Sequence, residues 1–217
     1  MWLRCASTNH HPGVICSYFL DCVENFGGYP DKLRTDCGTE NVIIAALQKF
    51  TGGRHTYGTS PGNQRIEAWW SFYRRHHSQW WVDLFEALVA SDAFHPGNVA
   101  EVDCLRFCFM KTIQDHLNDV RRQWNVHRIR PSAGATCPAG IPDELFYLPS
   151  LPATNRMRTA VPALPAEIQQ QVEQPRICAD SNFEAYLHYL CAFHNLVAPH
   201  DAESATRLYL SLRTKIT

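Results

Sequence analysis

The sequence lacks any apolar run long enough to cross a membrane, and it has no apolar stretch of the secretory-signal type. It also lacks a CxxC pair, although it contains nine cysteines, an odd number scattered along the chain. That pattern is typical of reduced thiols rather than of a disulfide framework. These absences exclude a membrane-spanning or disulfide-stapled secreted protein, and we expect a soluble protein of the nucleus or cytoplasm.

An excess of charge is missing as well, because 20 basic residues nearly balance 21 acidic ones and leave a net charge of −1. No bulk field therefore draws the chain towards nucleic acid, so any contact with DNA requires local patches. Zinc-type ligand spacing is absent too, and we interpret His10-His11 and His76-His77 as ordinary surface histidines. What is present, 217 residues with 45% hydrophobic content, predicts one buried domain with a small appendage.

Strand and helix patterns alternate in the first third of the chain, which is typical of an α/β sheet domain. We predict strands at residues 1–7, 32–36 and 54–57. One helix is predicted from Pro12 to the glycines at 27 and 28, and another from Thr39, as its capping residue, to Gly52. The predicted inward face of that second helix consists of Val42, Ile43, Ala46, Leu47 and Phe50.

The remainder of the chain is predicted to be helical, then proline-rich, then helical again. Helices are expected at residues 80–90 and 99–124, and from Pro131 the density of prolines excludes long helices and central strands. Two short helices are expected at residues 182–196 and 202–212. The predicted organisation is a core at residues 1–150, a proline-rich linker at residues 151–177 and a helical extension at residues 178–217.

Two acids stand at element ends in a way that suits a metal site. Asp36 closes a predicted strand, and Glu67 opens a helix after a glycine-rich loop at residues 58–62. Mg²⁺ prefers oxygen ligands, and a pair of such ions can hold the attacking and leaving oxygens of a phosphodiester displacement. Arg74 falls on the same helix face as Glu67, where a cation can grip a phosphate. The alternative, a solvated stripe of an amphipathic helix, stays open.

The predicted core side of the Glu67 helix consists of Ile66, Trp69, Trp70 and Tyr73. A second basic group follows the long helix at residues 99–124 and comprises Arg121, Arg122, Arg128 and Arg130, together with His127. Such a cluster is the local footprint that a nearly neutral protein needs for DNA. Cations that complement the dipole at a helix C-terminus explain it equally well, so both interpretations remain.

Three motifs in order resemble a known family. They are LRTDCGTEN at residues 33–41, NQRIEAWW at residues 63–70, and WNVHRIRP at residues 124–131 followed by PAGIP at residues 138–142. On these residues the chain resembles the retroviral-type integrase core domain of the DDE superfamily, and within it the eukaryotic, transposon-derived group. The resemblance covers roughly residues 2–148 and extends more faintly to the C-terminal helices.

The resemblance implies a ribonuclease H-like fold with a mixed five-stranded sheet. It also implies three carboxylates, Asp, Asp and Glu, that hold Mg²⁺ or Mn²⁺ for attack on DNA phosphates. Asp36 matches the second Asp and Glu67 the Glu, so both are expected to be catalytic and metal-binding. Arg74 matches a basic residue that contacts DNA, and the loop at residues 58–62 matches the mobile loop beside the active site. Family members usually work as multimers, which implies a homo-oligomer as well as DNA as partners.

The chain departs from the family at its start, because residues 1–7 align with the third strand of the fold. The first two strands, one of which carries the first Asp, would precede residue 1. Unpaired buried ladder groups cost about 1–3 kcal/mol each, against a total stability of ~5–15 kcal/mol. A loss of this size is too large for an isolated native-like domain. We expect an α/β, ribonuclease H-like integrase core lacking its first two strands, with a C-terminal helical extension. It would be a truncated gene product or an incomplete gene record, unless a partner supplies the strands.

No other acid is expected to replace the missing one, since Asp21 and Glu24 have no reason to point at Asp36, and Asp83 and Glu86 look solvated. Two acids alone should bind Mg²⁺ weakly. Two functions follow as hypotheses. One is a catalytic core for DNA integration that is inactive in this truncated form. The other is a domesticated, non-catalytic remnant that binds DNA or protein.

Overall fold

The computed structural model describes residues 2–58, 64–131, 139–148, 157–158 and 164–216, and these are mostly helical. The helices are α1 (Pro12–Phe26), α2 (Val42–Phe50), α3 (Gln64–Tyr73), α4 (Gln79–Ala90), α5 (Val99–Val126), α6 (Pro142–Tyr147), α7 (Ala166–Gln169), α8 (Ser181–Phe193) and α9 (Ala202–Ile216). The strands are β1 (Tyr29–Pro30), β2 (Lys32–Thr35), β3 (Arg54–Tyr57) and β4 (Met157–Arg158). A 3₁₀ turn (Thr39–Asn41) precedes α2, and a π-helical segment (Arg74–Ser78) joins α3 to α4. None of the described helices combines the length and the apolar character that a bilayer span requires.

The chain divides into two compact units that are interleaved along the sequence. The first unit contains Met1–Arg4, Thr8–Asn63 and Asn118–Gln174, and the second contains Cys5–Ser7, Gln64–Leu117 and Pro175–Thr217. The helix α5 therefore contributes to both units. The predicted domain boundaries after residues 150 and 177 stay a prediction.

The first unit is built around a strand–helix–strand arrangement. Strands β2 and β3 pair in parallel, with Lys32 opposite Arg54 and Thr35 opposite Tyr57, and α2 connects them. A parallel pair needs such a crossover, because a short turn cannot return the chain to the same end of the sheet. A second, antiparallel pair joins β1 to β4. The core of this unit consists of Cys16, Val23, Tyr29, Ile43, Ile44 and Leu47.

The second unit is helical and includes the C-terminal helices. The helices α4, α5, α8 and α9 share one apolar core, made of Trp81, Leu88, Cys104, Cys108, Phe109, Cys178, Leu187, Leu190, Ala205, Leu208, Tyr209 and Leu212. Two short amphipathic helices cannot bury their apolar faces alone. Their packing against α4 and α5 in this shared core buries those faces.

Several predicted elements are confirmed and one is wrong. The strands at residues 32–36 and 54–57 and the helices that begin at Pro12, near residue 80 and at Val99 are present within one or two residues. The predicted strand at residues 1–7 is wrong, because residues 2–7 adopt no strand. Side chains of α5 replace a neighbouring strand there: the Cys5 amide donates to Gln114 Oε1 at 2.8 Å, and Arg106 donates to the Ser7 carbonyl at 3.4 Å.

The predicted inward faces of two helices need correction. In α2 the side chains of Val42, Ala46 and Phe50 are exposed, and the helix buries Ile43, Ile44, Ala45, Leu47 and Gln48 instead. A 3₁₀ turn from Thr39 to Asn41 precedes the helix, so α2 begins at Val42 rather than directly after Thr39. In α3, Trp69 is buried as predicted, but Ile66 and Trp70 are 48% and 50% exposed.

Candidate functional site

Asp36 is the first residue after β2 and lies beside the start of α2. The ladder of β2 and β3 continues one step beyond the strands, since the Gly58 amide donates to the Thr35 carbonyl at 2.6 Å. Thr35 Oγ1 also lies 3.1 Å from His55 Nε2 across the sheet. The strand end is therefore held from two sides, while the Asp36 side chain itself is exposed.

Asn41 holds the Asp36 carboxylate in place. Its side chain is buried, with 9% of the residue exposed, and its Nδ2 donates to Asp36 Oδ1 at 2.5 Å. The same Nδ2 lies 3.3 Å from Glu40 Oε1, so one amide approaches two carboxylates. Gly38 makes room for this arrangement, because a Cβ at that position would lie 2.0 Å from Glu40 Oε1.

Glu67 and Arg74 lie along the second helix of the predicted site. Both side chains are exposed, and seven residues of α-helix bring them to the same face because 700° is nearly two full turns. Arg74 is also the first residue of the π-helical segment. Segments of this kind are rare and occur often at functional sites.

The structure assigns the two predicted acids to different units: Asp36 belongs to the first and Glu67 to the second. The joint site of Asp36 and Glu67 therefore stays a prediction. Of the loop predicted beside it, at residues 58–62, only Gly58 lies among the described residues. No cluster of three or more His, Cys, Asp or Glu side chains suited to a metal ion occurs within the described part of the chain.

The donor chemistry near Asp36 fits a hard cation. Asp36 and Glu40 supply carboxylate oxygens within one short stretch, and carboxylates are the ligands that Mg²⁺ prefers. The exposure of Asp36 also suits Mg²⁺, because this ion keeps several of its water molecules when it binds protein. Sequence reasoning missed Glu40 and Asn41. The available signal was their position four and five residues after Asp36, because a glycine and then the start of a helix turn the chain back within that distance.

The basic group predicted from the sequence, Arg121, Arg122, Arg128 and Arg130 (the basic patch), lies in the first unit. Arg128 and Arg130 are exposed and flank Ile129, whose amide and carbonyl both bond to Gly140 at 2.9 and 3.1 Å. Alternate side chains of an extended segment share a side, so this bridge presents the two guanidinium groups together.

The glycine in that bridge is required, because Gly140 has φ of 137°, a conformation that other residues rarely adopt. The other two members of the basic patch are less available. Arg122 pairs with Asp119 one turn earlier on α5, and Arg121 is half-buried. The geometry therefore makes Arg128 and Arg130 the accessible half of the patch.

The comparisons with known proteins point to one family. A family model described as "Integrase core domain" matches residues 1–160. Comparison with curated proteins and with solved structures found no match to this chain. The matched range includes Asp36, Glu67, Arg74 and the basic patch.

Proposed function

The chain belongs to the integrase core domain family, and from this premise we propose that it is the DNA-binding and metal-binding core of an integrase- or transposase-type system. In this proposal the core is ribonuclease H-like and of transposon origin, and Asp36 and Glu67 are two of its three carboxylates. The reaction class is metal-dependent strand transfer at a DNA phosphodiester.

Each residue has a separate task in the proposed site. Asp36 and Glu67 hold Mg²⁺ or Mn²⁺, which when bound neutralises charge on the phosphate and lowers the pKa of the attacking water. Asn41 keeps the Asp36 carboxylate oriented through its 2.5 Å hydrogen bond, so the carboxylate loses less conformational entropy when a cation binds. Arg74 contacts the phosphate beside the reacting one, because it shares a helix face with Glu67.

The observation that carries the proposal is the family match over 160 residues together with Asp36 at the end of a parallel strand. In open α/β sheets, ligands bind outside the carboxyl ends of the strands. The resemblance assigns the first carboxylate of the triad to no residue of this chain. We therefore propose that the 217-residue chain binds DNA and binds divalent cations weakly, but does not cut.

A non-catalytic role is the second candidate function. It is favoured by the exposure of Arg74, Arg128 and Arg130, which makes these cations available to a polyanion whether or not a metal site forms. In that role the chain is a remnant that binds DNA or protein through electrostatic attraction between these arginines and acidic groups of the partner. The two candidates differ in whether Asp36 and Glu67 matter for binding a cation.

The salt dependence of duplex binding tests the DNA interface. Each phosphate contact contributes about −0.9 to the slope of log K against log salt concentration. We expect Arg128→Ala combined with Arg130→Ala to reduce the magnitude of this slope by about two, measured by fluorescence anisotropy. The control is Arg207→Ala, an exposed arginine of α9 outside the basic patch. An unchanged slope in the double variant would remove residues 128–130 from the interface.

Nicking of supercoiled plasmid in Mn²⁺ separates binding from cutting. In this proposal the 217-residue chain leaves the plasmid intact, since the resemblance assigns two of the three carboxylates to its residues. Nicking that is present in the unmodified chain and lost in Asp36→Asn would contradict this expectation and establish a complete active site.

A further inference from the structure

The helical run from α3 to α4 carries an unusual concentration of aromatic and basic side chains. Residues 69–81, which we call the aromatic–basic segment, read WWSFYRRHHSQWW. The segment holds four tryptophans, two arginines and two histidines, and no carboxylate occurs between Glu67 and Asp83. Interleaved aromatic and basic residues without acids are typical of surfaces that bind nucleic acid.

The structure divides each adjacent pair of tryptophans between core and solvent. Trp69 and Trp81 are 5% and 8% exposed, whereas Trp70 and Trp80 are 50% and 55% exposed. Large aromatic side chains gain most of their free energy from burial. Trp70 packs edge-on against Trp69, and Trp80 packs edge-on against Trp81. About half of each indole nevertheless stays in contact with solvent and is available to a ligand.

Exposed basic side chains lie between the two exposed tryptophans in the sequence. Arg74, Arg75 and His76 are all exposed. Trp70 and Arg74 are four residues apart and therefore neighbours on the helix surface, and the same spacing relates His76 to Trp80. Among the residues that the structure describes, no carboxylate pairs with Arg74 or Arg75; Arg75 Nε donates to the Ser71 carbonyl at 3.3 Å. Each exposed indole thus has a basic neighbour.

We propose that the aromatic–basic segment binds single-stranded nucleic acid, with Trp70 and Trp80 stacking on bases while Arg74 and Arg75 contact phosphates. This inference rests on the proposed function and narrows its substrate to DNA with unpaired nucleotides. An indole stacks well on an unpaired base, whereas in a duplex both faces of a base are covered by its neighbours. The two tryptophans are ten residues apart, one on each side of the π-helical segment.

Charge complementarity decides between a nucleic acid and a protein partner. A protein surface that docks on this segment would meet three exposed basic side chains and, within residues 69–81, no acid, so it would have to be acidic as well as apolar. A single strand supplies both properties in every nucleotide, because each carries a phosphate and an aromatic base. The sequence alone did not separate these roles, because it places Trp69 and Trp70 on the same predicted core side.

The test measures binding of a fluorescein-labelled oligothymidine and of a duplex of the same length by anisotropy. Trp70→Ala and Trp80→Ala should each weaken single-strand binding about ten- to hundredfold and leave the salt slope unchanged, because stacking releases no counterions. Arg74→Ala combined with Arg75→Ala should reduce the slope by about 1.4, at ~0.7 for each single-strand phosphate. Tyr189→Ala, an exposed aromatic of α8, is the matched control and should bind like the unmodified chain. Thermal unfolding monitored by circular dichroism verifies that each variant is folded.

Two results would overturn the inference. One is unchanged single-strand affinity in folded Trp70→Ala and Trp80→Ala proteins. The other is a sedimentation shift towards monomer in those variants without any loss of single-strand binding, which would make the segment a contact between copies of the chain. Failure of the proposed function looks different: duplex binding would be absent or insensitive to Arg128 and Arg130, whatever the tryptophan variants show.

Discussion

At the residue scale, the most heavily bonded carboxylate among the described residues is Glu101, which lies in the first turn of α5 and is 2% exposed. It accepts hydrogen bonds from the His95 amide at 2.8 Å and from Tyr209 Oη at 3.4 Å, and the His95 ring Nδ1 lies 3.1 Å away. The other ring nitrogen of His95 lies 2.9 Å from Asp92 Oδ1, and Arg213 Nη2 lies 3.1 Å from His95 Nδ1. This network ties the loop before α5 to α9 within the second unit.

His95 makes the stability of that network depend on pH. Hydrogen bonds to Glu101, and then to Asp92, raise the pKa of His95 above its ordinary value. Because the pKa of His95 is higher in the folded state, protonation of His95 stabilises that state. The stabilisation is fully present at pH values below the pKa of the unfolded chain, about 6.5. The stabilisation is lost as pH rises through the raised pKa. For Glu101, burial favours the neutral acid, but bonds from His95 and the charge of Arg213 outweigh it and lower the pKa.

We predict that the unfolding free energy falls between about pH 6 and pH 9 by more in the unmodified chain than in His95→Gln, because the variant cannot bind the proton. Denaturant unfolding at several pH values measures the difference. His10→Gln, an exposed histidine outside this network, should follow the unmodified chain. Parallel pH profiles for His95→Gln and the unmodified chain would exclude His95 as the titrating group. The Glu101 contribution does not interfere, since a lowered carboxyl pKa acts only at acidic pH.

Individual residues show which features of the candidate site could be predicted from the sequence and which could not. The position of Asp36 at a strand end was predicted from the short segment KLRT at residues 32–35 before it, and β2 confirms it. The role of Asn41 did not, because an asparagine at a helix start usually predicts a cap, and here its amide donates to Asp36 instead. The exposure of Trp70 was also missed, since helical periodicity assigns a face but does not say how wide the buried stripe is.

At the element scale, a ladder of rings explains why α3 and α4 form one run. Trp69, Tyr73, His77, Trp81 and Phe85 recur every four residues. Three of the successive pairs are stacked. Their ring centroids lie 5.4 Å apart for Trp69 and Tyr73, 5.8 Å apart for Tyr73 and His77, and 6.3 Å apart for Trp81 and Phe85. A four-residue spacing drifts by about 40° per step in an α-helix. The wider π-helical segment absorbs the drift and keeps Trp81 on the buried side.

This explanation predicts that one residue can be removed from the π-helical segment. Deletion of Arg75 should convert the segment to regular α-helix while Trp81 keeps its phase, and we expect a melting temperature within about 4 °C of the unmodified chain. Deletion of Lys111, exposed in the regular helix α5, is the control. It rotates all following residues by about 100° and should abolish cooperative unfolding. Thermal circular dichroism measures both, and equal damage by the two deletions would contradict the ladder explanation.

The elements that sequence patterns predicted well are those with local signals. A Pro near the start and a Gly after the end marked α1, and apolar periodicity marked α4 and α5. The four-residue spacing of the rings was a signal for the π-helical segment. A periodicity of 3.6 residues, applied along the whole stretch, instead predicted two separate helices with a break between them. The false strand at residues 1–7 shows that partial alternation is insufficient when no strand is available to pair with it.

At the scale of the whole molecule, the two units are interleaved because a late segment returns to an early helix. Leu164, Ile168 and Val172 pack on the core of the first unit. The Glu173 amide donates to the Gly13 carbonyl at 3.3 Å, and a Cβ on Gly13 would lie 2.3 Å from the Gln171 carbonyl oxygen. Proline density predicted a linker here. The apolar residues at four-residue spacing were a signal for packing, but the partner lies some 150 residues earlier, and one sequence gives no information about such long-range contacts.

The proposed function makes one demand at the scale of the whole molecule: it requires that Asp36 and Glu67, which belong to different units, bind the same ion. A binding isotherm for Mn²⁺, followed by electron paramagnetic resonance, tests it through a double-mutant cycle of Asp36→Ala and Glu67→Ala. Glu86→Ala, an exposed acid of α4, is the control and should bind like the unmodified chain.

If both carboxylates hold the same ion, each single variant weakens Mn²⁺ binding at least tenfold. The double variant then loses much less than the product of the two single losses, because partners at one site are not additive. Independent losses, or an affinity that is unchanged in Glu67→Ala, would contradict the account and place the two acids at separate sites.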